Sequence, residues 1–237
     1  MYDIALISYN ESQVIDRYTK LLDKFPRRRI FRIHNVKGIH QAHMEAAKKA
    51  KTTMFYVIDA DANILSNFKF DIKLDSSEED IVHVWRSRNP VNGLEYGYGG
   101  IKLLPTKLTL NMNTTTADMT TSISGRFKIM DEVSNITEFN TDPLSTWRSS
   151  FRECVKLASK VIDGQVNVET QHRLDVWRFN TSGVAFAEYS RGGASAGEWY
   201  GKTYKDDVAM LSKINDYDWL EQQFKDHIHM FPPETFK

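Results

Sequence analysis

The sequence predicts an α/β fold, with a mostly parallel sheet flanked by helices and a helical carboxyl-terminal part. Three observations predict it. In the first third, short apolar runs alternate with amphipathic helical stretches, the pattern of parallel strands joined by right-handed crossovers. The run Met54-Phe55-Tyr56-Val57-Ile58 is rich in β-branched and aromatic residues and ends in Asp59-Ala60-Asp61. From Pro143 onward, apolar residues recur at spacings of three and four.

Residues 2–8 read as an apolar strand, and Ser8-Tyr9-Asn10-Glu11-Ser12 as the polar break after it. Val14, Ile15, Tyr18, Leu21 and Leu22 form a helical stripe within residues 11–24, closed by Pro26. Residues 29–34 are a second strand. Asn35 is placed as the N-cap of a helix over residues 37–50, where Ile39, Ala42, Ala46, Ala47 and Ala50 lie on related faces. The Asp59/Asp61 strand follows. Residues 81–85 form another strand, and Asn89-Pro90-Val91-Asn92-Gly93 is turn chemistry. Tyr96-Gly97-Tyr98-Gly99-Gly100 is a glycine-aromatic loop before a short strand over residues 101–104. Two threonine-rich stretches, 114–116 and 120–122, mark a polar loop, and residues 127–139 hold short strand candidates. Pro143 suits a first helical turn, with Asp142 or Thr141 as cap. Leu144, Trp147, Phe151, Val155, Ala158 and Ile162 carry that helix onward. Residues 167–177, 205–214 and 217–229 are further helices, whereas the glycine-rich stretch 183–199 shows no clear period. With no linker or repeat, the chain reads as one domain over residues 1–237.

Composition excludes several classes. Lys+Arg and Asp+Glu each number 31, so no gross charge draws the chain to nucleic acid or membrane, and any such contact needs a local patch. Arg27-Arg28-Arg29 reads as a solvated run. The lone Cys154 rules out an intrachain disulfide and a multi-cysteine metal site. It lies in a helical apolar pattern, as a buried thiol would. The amino terminus is too short and too acidic for a signal peptide, and no apolar run reaches membrane-spanning length. The expectation is a soluble cytoplasmic protein with no membrane partner.

Asp59 and Asp61 carry the clearest chemistry. In an open α/β sheet, ligands collect at the carboxyl ends of strands. Two carboxylates spaced Asp-x-Asp there can hold Mn²⁺ or Mg²⁺, directly or through water, and such a cation grips a diphosphate. A plain acidic turn after a core strand would carry the same residues. Arg86 and Arg88 follow a strand and could pair with phosphate, or could be ordinary loop arginines. The loop over residues 96–100 could let backbone approach a sugar while tyrosines stack on it, or could be a turn with core aromatics. Trp147 and Phe151 read as helix packing.

Ser8-Tyr9-Asn10-Glu11 after the first strand, then Gly38-Ile39-His40-Gln41-Ala42-His43, then Val57-Ile58-Asp59-Ala60-Asp61 resemble the nucleotide-sugar half of GT-A fold glycosyltransferases. The likeness is clearest over residues 1–65. It implies a donor-binding part over residues 1–105, with Ser8, Tyr9, Asn10, Glu11, Gly38, Asp59 and Arg86 around the nucleotide sugar, and an acceptor-side helical part over 106–237. It also implies Asp61 as direct metal ligand beside Asp59, completed by a late histidine: His229, with His227 its neighbour. Histidines near a helix C-terminus are also favoured by the dipole alone. An inverting transferase needs a base for the acceptor hydroxyl. Asp142 occupies the implied position, and a plain N-cap would equally place an Asp there. Asp206-Asp207 is the rival pair.

The stretches Val84-Trp85-Arg86-Ser87-Arg88-Asn89-Pro90, Tyr96-Gly97-Tyr98-Gly99-Gly100 and Phe139-Asn140-Thr141-Asp142-Pro143 are similar to glycosyltransferase-like proteins of tailed bacteriophages. Some phage sugar transferases decorate hydroxymethylated bases in DNA. This implies modified DNA as acceptor, in the host cytoplasm, with the base exposed or flipped and Arg86, Arg88, Arg148 and Arg152 as phosphate contacts. Two rival readings stand beside it. A nucleotidyltransferase would show a glycine-rich loop after the first strand, and residues 8–12 contain no glycine. A non-catalytic glycosyltransferase-like binding or virion module would show neither turnover nor metal-dependent nucleotide binding.

Overall fold

A computed structural model describes residues 1–9, 11, 13–97, 100–161, 166–180 and 183–231; Asn10, Ser12, Tyr98, Gly99 and Ile162, named above, lie outside them. The chain packs as two compact units. The first comprises Met1–Arg88, Glu95–Thr114 and Met119–Thr137; the second comprises Asn89–Leu94, Thr115–Asp118 and Glu138–Lys237.

The first unit is built on one sheet. Its strands are β1 (Asp3–Ser8), β2 (Ile30–His34), β3 (Met54–Asp59), β4 (Ala62–Ile64), β5 (Val82–Arg88), β6 (Glu95–Tyr96), β7 (Ile101–Pro105) and β8 (Phe127–Thr137). They lie in the order β2-β1-β3-β7-β5-β8-β4, with β6 paired to β5. The parallel trio β2-β1-β3 matches the alternation in the sequence, with Ile4 opposite both Ile30 and Tyr56. Its crossovers are α1 (Val14–Lys24) and α2 (Ile39–Lys49). Val14 and Leu21 of α1 pack with Ile4, Leu6, Tyr56 and Ile58 on one face. Ala42, Ala46 and Ala47 of α2 pack with Ala5, Phe55 and Val57 on the other.

Beyond β3 the expectation of a mostly parallel sheet fails, and the sheet is mixed. β7 runs antiparallel to both β3 and β5, β5 parallels β8, and β4 is antiparallel to β8. The cause is connection length. A parallel neighbour needs a crossover of about a dozen residues or more. β4 follows β3 after two residues, and β6 follows β5 after six, so neither connection can hold a crossover helix, and β7 keeps the direction of β6.

Two further differences concern the middle of the chain. Residues 127–137 form one long strand, bulged opposite Trp85, Arg86 and Ser87. The second threonine-rich stretch overlaps a short helix, α4 (Met119–Ile123), which follows α3 (Thr106–Leu110). Met119 and Ile123 join the core, and the Ser122 hydroxyl donates to the Met119 carbonyl at 2.5 Å, so the polar side chain is satisfied within the helix. Asn35 is not the cap of α2. It takes a left-handed φ of 58°, and Gly38, with φ 93°, precedes the first turn.

The second unit is helical: α5 (Pro143–Ser159), α6 (Asn167–Phe179), α7 (Ala187–Thr203), α8 (Val208–Ser212) and α9 (Tyr217–Met230). Asp142, Asp207 and Asp216 cap α5, α8 and α9, each side chain accepting a backbone N–H of the first turn. The unperiodic glycine-rich stretch is largely α7. Glycine costs about 1 kcal/mol relative to alanine inside a helix, which hides the helix from a propensity reading. The spacing explains the choice. Gly193, Gly197 and Gly201 lie on one face against α5, where an added Cβ would stand 2.3, 2.3 and 2.6 Å from the carbonyl oxygens of Trp147, Phe151 and Val155. No helix among the described residues is long and apolar enough to cross a membrane.

Candidate functional site

The site forms where β1 and β3 end side by side. Ile7 pairs with Asp59, and the Ala60 N–H donates to the Ile7 carbonyl at 3.0 Å. The antiparallel β7 brings its amino-terminal end to the same place. The Asp59 N–H donates to the Gly100 carbonyl at 2.9 Å, and the Gly100 N–H returns a bond to Asp59 Oδ2 at 3.2 Å. Gly100 is required twice over. Its φ is 83°, and a Cβ there would lie 2.3 Å from the Asn135 side-chain oxygen. That amide is in turn locked by hydrogen bonds with Ser87, Ser134 and Thr137.

Lys102 sits two residues into β7 on the same sheet face as Asp59, and its Nζ lies 3.1 Å from Asp59 Oδ2. Burial pushes the Asp59 carboxyl up, but the charge of Lys102 and the bonds it receives outweigh this and hold it below the usual range. His43 of α2 completes this face. Its Nδ1 lies 2.7 Å from the Ile39 carbonyl, which assigns the proton to Nδ1. Burial, with Lys102 nearby, pushes its pKa down to about 4, so the ring is neutral at pH 7.

Asp61 lies beyond the strand end. Burial, then the carboxylates of Asp59 and Glu11, push its pKa up to about 7, against the pull of Arg17 and Lys102. Its Oδ1 is buried and accepts no hydrogen bond among the described residues. Arg17 of α1 donates to the Ala60 carbonyl between the two acids. The Glu11 carboxylate accepts the Tyr9 N–H at 2.7 Å, and the Ser8 hydroxyl lies 3.0 Å from His34 Nδ1. Ser8, Tyr9, Glu11, Asp59 and Asp61 therefore lie together at the carboxyl ends of β1 and β3, with Gly38 at the start of α2.

The donor set suits a hard cation on one flank. Among the described residues, Asp61 offers a buried carboxylate oxygen with no hydrogen-bond donor, and Asp59 receives its hydrogen bonds on Oδ2 alone. Among the described residues no group of three or more His, Cys, Asp or Glu side chains is arranged to hold a metal. A cation here would rest on these two acids, with its remaining positions open to water and to a ligand.

Asp61 makes stability depend on pH. Its folded pKa, about 7, lies above the ordinary 3.8, so the folded chain keeps a proton that the unfolded chain releases. The resulting stability is full below about pH 4 and is lost as pH rises through about 7. In metal-free protein, Asp61→Asn is expected to raise the thermal midpoint at pH 8 by at least about 2–4 °C, the shift that 1 kcal/mol gives a chain of this size. At pH 4 it should change little. A midpoint difference that does not vary with pH would show that Asp61 is not held protonated.

Arg86 donates through Nε and a terminal nitrogen to the Glu95 carbonyl at 3.3 and 2.9 Å, and Arg88 pairs with the Glu95 carboxylate at 2.6 Å. Arg148 stacks on Tyr217, and Arg152 donates to the Ile214 carbonyl at 2.7 Å. His229 is exposed in the last turn of α9 in the second unit, where His227 packs against Trp147 and Phe231.

Asp142 is the N-cap of α5, accepting the Ser145 N–H at 2.8 Å. Burial pushes its carboxyl up, but hydrogen bonds from Ser145 and Thr141 and the charge of Arg148 bring it below the usual range. As a cap, Asp142→Ala is expected to cost about 1 kcal/mol, while Asp142→Asn should cost little. Turnover tests the base role separately. A loss of about 10² or more in the stable Asn variant would assign it, and unchanged turnover would leave Asp142 a cap alone.

Sequence reasoning included Gly100 in a candidate sugar loop and His43 in a family-like stretch, but it did not single out Lys102, Arg17 or Asn135. The signal for Lys102 was a charge inside the apolar run of β7.

No protein-family description and no curated protein matches the chain. Among solved structures it is similar to HddC from Yersinia pseudotuberculosis, at 14% identity and a TM-score of 0.35, over 58% of this chain and 91% of that one. A likeness of that degree carries no argument about fold or function.

Proposed function

We propose that the chain is a metal-dependent glycosyltransferase of GT-A type, moving a sugar from a nucleotide sugar to an acceptor hydroxyl. The observation that carries this reading is the buried, donor-free oxygen of Asp61 beside Asp59 at the carboxyl end of a parallel strand trio. That is where an open α/β sheet gathers its ligand. Mn²⁺ or Mg²⁺ held there would supply positive charge to a departing diphosphate.

The chain's own residues support the role. Lys102 and the Gly100 N–H hold Asp59 ionised and in place. Arg17, donating to the Ala60 carbonyl, fixes the turn that presents Asp61. The polar end of β1, with Ser8, Tyr9 and Glu11, lies beside it for the nucleoside. Modified DNA as acceptor rests on the phage-like stretches alone, since Arg86, Arg88, Arg148 and Arg152 all have intramolecular partners.

A thermal-shift screen of nucleotide sugars tests the proposal, because a ligand that binds only the folded state raises its stability. At least one nucleotide sugar should raise the midpoint in the presence of Mn²⁺ and fail to do so with chelator. A screen in which no nucleotide sugar acts, or in which chelator makes no difference, contradicts it.

A further inference from the structure

The two acids of the proposed metal site hang from different parts of the sheet, and one short stretch of β8, residues 134–137, reaches both. On the Asp59 side the link is Gly100. Its carbonyl accepts the Asp59 N–H, and its own N–H donates to Asp59 Oδ2. A Cβ at position 100 would overlap the amide head of Asn135, so that amide fills the space against the Gly100 backbone. On the Asp61 side the link is β4, which begins at the next residue. Ala62 lies opposite Thr137 and Ile64 opposite Asn135, and the Leu65 N–H donates to the Ser134 carbonyl at 3.0 Å.

Polar side chains hold this stretch where apolar ones would fill the same volume. Ser87, Ser134 and Asn135 are fully buried, and Thr137 is nearly so. Asn135 Oδ1 accepts from the Ser87 hydroxyl at 2.9 Å and from the Ser134 hydroxyl at 2.8 Å. Its Nδ2 donates to the Thr137 hydroxyl at 3.0 Å. Burying polar groups costs stability unless they are paired, and apolar groups of the same shape would stabilise the sheet about as well. What a satisfied network adds is a fixed orientation, here of the amide head. The strand is also re-aimed to present that head. β8 runs from Met130 to Asn135 while β5 runs only from Trp85 to Ser87, and bulges of this kind re-aim side chains beside functional sites.

We infer that Asn135 is a positioning residue for the acid pair: anchored by Ser87, Ser134 and Thr137, it fixes Asp59 through Gly100, while the same stretch of β8 fixes Asp61 through β4. Asn135 acts through the Gly100 backbone and supplies no ligand itself. The inference rests on the metal reading of Asp59 and Asp61 and assigns what sets their separation. That separation matters because a hard cation holds its oxygens within about 2.0–2.6 Å, so displacing either acid loses affinity. All the residues concerned lie in the first unit.

The test has two readouts on the full chain, both taken well below the thermal midpoint. Mn²⁺ alone is titrated in, and the free ion is counted by electron paramagnetic resonance. Hydrogen exchange followed by NMR reports the Asp59 N–H, whose acceptor is the Gly100 carbonyl. Asn135→Ala should weaken Mn²⁺ binding by about 10-fold or more, the scale for outer-shell partners of metal ligands. It should speed exchange of the Asp59 N–H by about 3–10-fold, the value of one hydrogen bond. Thr137→Val is near-isosteric and removes only the acceptor of the Asn135 amide. It should move both readouts the same way by less, and it decides the question if Asn135→Ala does not fold. Met119→Ala truncates the core of the same unit and is the control. It should lower the midpoint and leave the Mn²⁺ affinity of the folded chain unchanged. Wild-type chain that binds no Mn²⁺ would contradict the metal reading alone, and exchange of the Asp59 N–H then decides the positioning by itself. The inference is overturned if Asp59 N–H exchange in every folded β8 variant is as slow as in wild type. It is equally overturned if those variants keep the Mn²⁺ affinity of a binding wild type, or if Met119→Ala loses as much.

Discussion

Asp61→Ala is expected to abolish Mn²⁺-dependent binding of the nucleotide sugar, by about 100-fold or more, the scale on which metal sites respond to changes at and around their ligands. The fold should survive, because Asp61 lies past the end of β3 and its Oδ1 supports no hydrogen bond. The unfolding transition of the variant should therefore stay cooperative. Calorimetry with Mn²⁺ checks both parts at once. Equal affinity in wild type and variant would remove Asp61 from the site.

Gly197→Ala is expected to destabilise the helical unit more than any surface change. The new methyl would stand 2.3 Å from the Phe151 carbonyl oxygen, a backbone atom that cannot swing away. Overpacking of this kind costs about 1–3 kcal/mol when the core can shift, and here α7 must move off α5. The helix-propensity gain of alanine, about 1 kcal/mol, opposes this and does not offset a backbone clash. A cost of about 3 kcal/mol would lower the thermal midpoint by roughly 6–12 °C. Gly125→Ala is the control, since nothing lies within 4 Å of its added methyl. A thermal scan showing equal midpoints for the two variants would mean that α5 and α7 are not in backbone contact.

The parts of the fold that were legible are those in which one residue pattern answers to one contact surface. The strands β1, β2 and β3 and their helices could be read because Val14 and Leu21 on α1, and Ala42, Ala46 and Ala47 on α2, each repeat at helical spacing against a strand face. Asp59 and Asp61 stood out because charge after a buried strand is rare locally. The rest of the site was not legible, because tertiary pairing assembles it. Lys102 reaches Asp59 only because β7 inserts antiparallel between β3 and β5, and no local feature of residues 101–105 states that partner. Gly100 and Asn135 are 35 residues apart in number and meet only across the sheet. The helix α7 was missed for the opposite reason: its glycines violate local preference to permit a close helix crossing. Asp142 could be read as cap or base, and its bond to the Ser145 N–H establishes the cap.

The central claim is that the Asp59–Asp61 edge supports transfer of a sugar from a nucleotide sugar. Phosphorus NMR of the purified chain with Mn²⁺ and the nucleotide sugar found by the thermal-shift screen tests it most directly. The account predicts slow release of the intact nucleoside diphosphate even without acceptor, as water takes the acceptor's place at the anomeric carbon, its bond to the diphosphate oxygen breaks and free sugar forms, and no release by Asp61→Ala. Appearance of nucleoside triphosphate from added pyrophosphate, with sugar phosphate as co-product, would instead show cleavage between the two phosphates and contradict the glycosyltransferase reading.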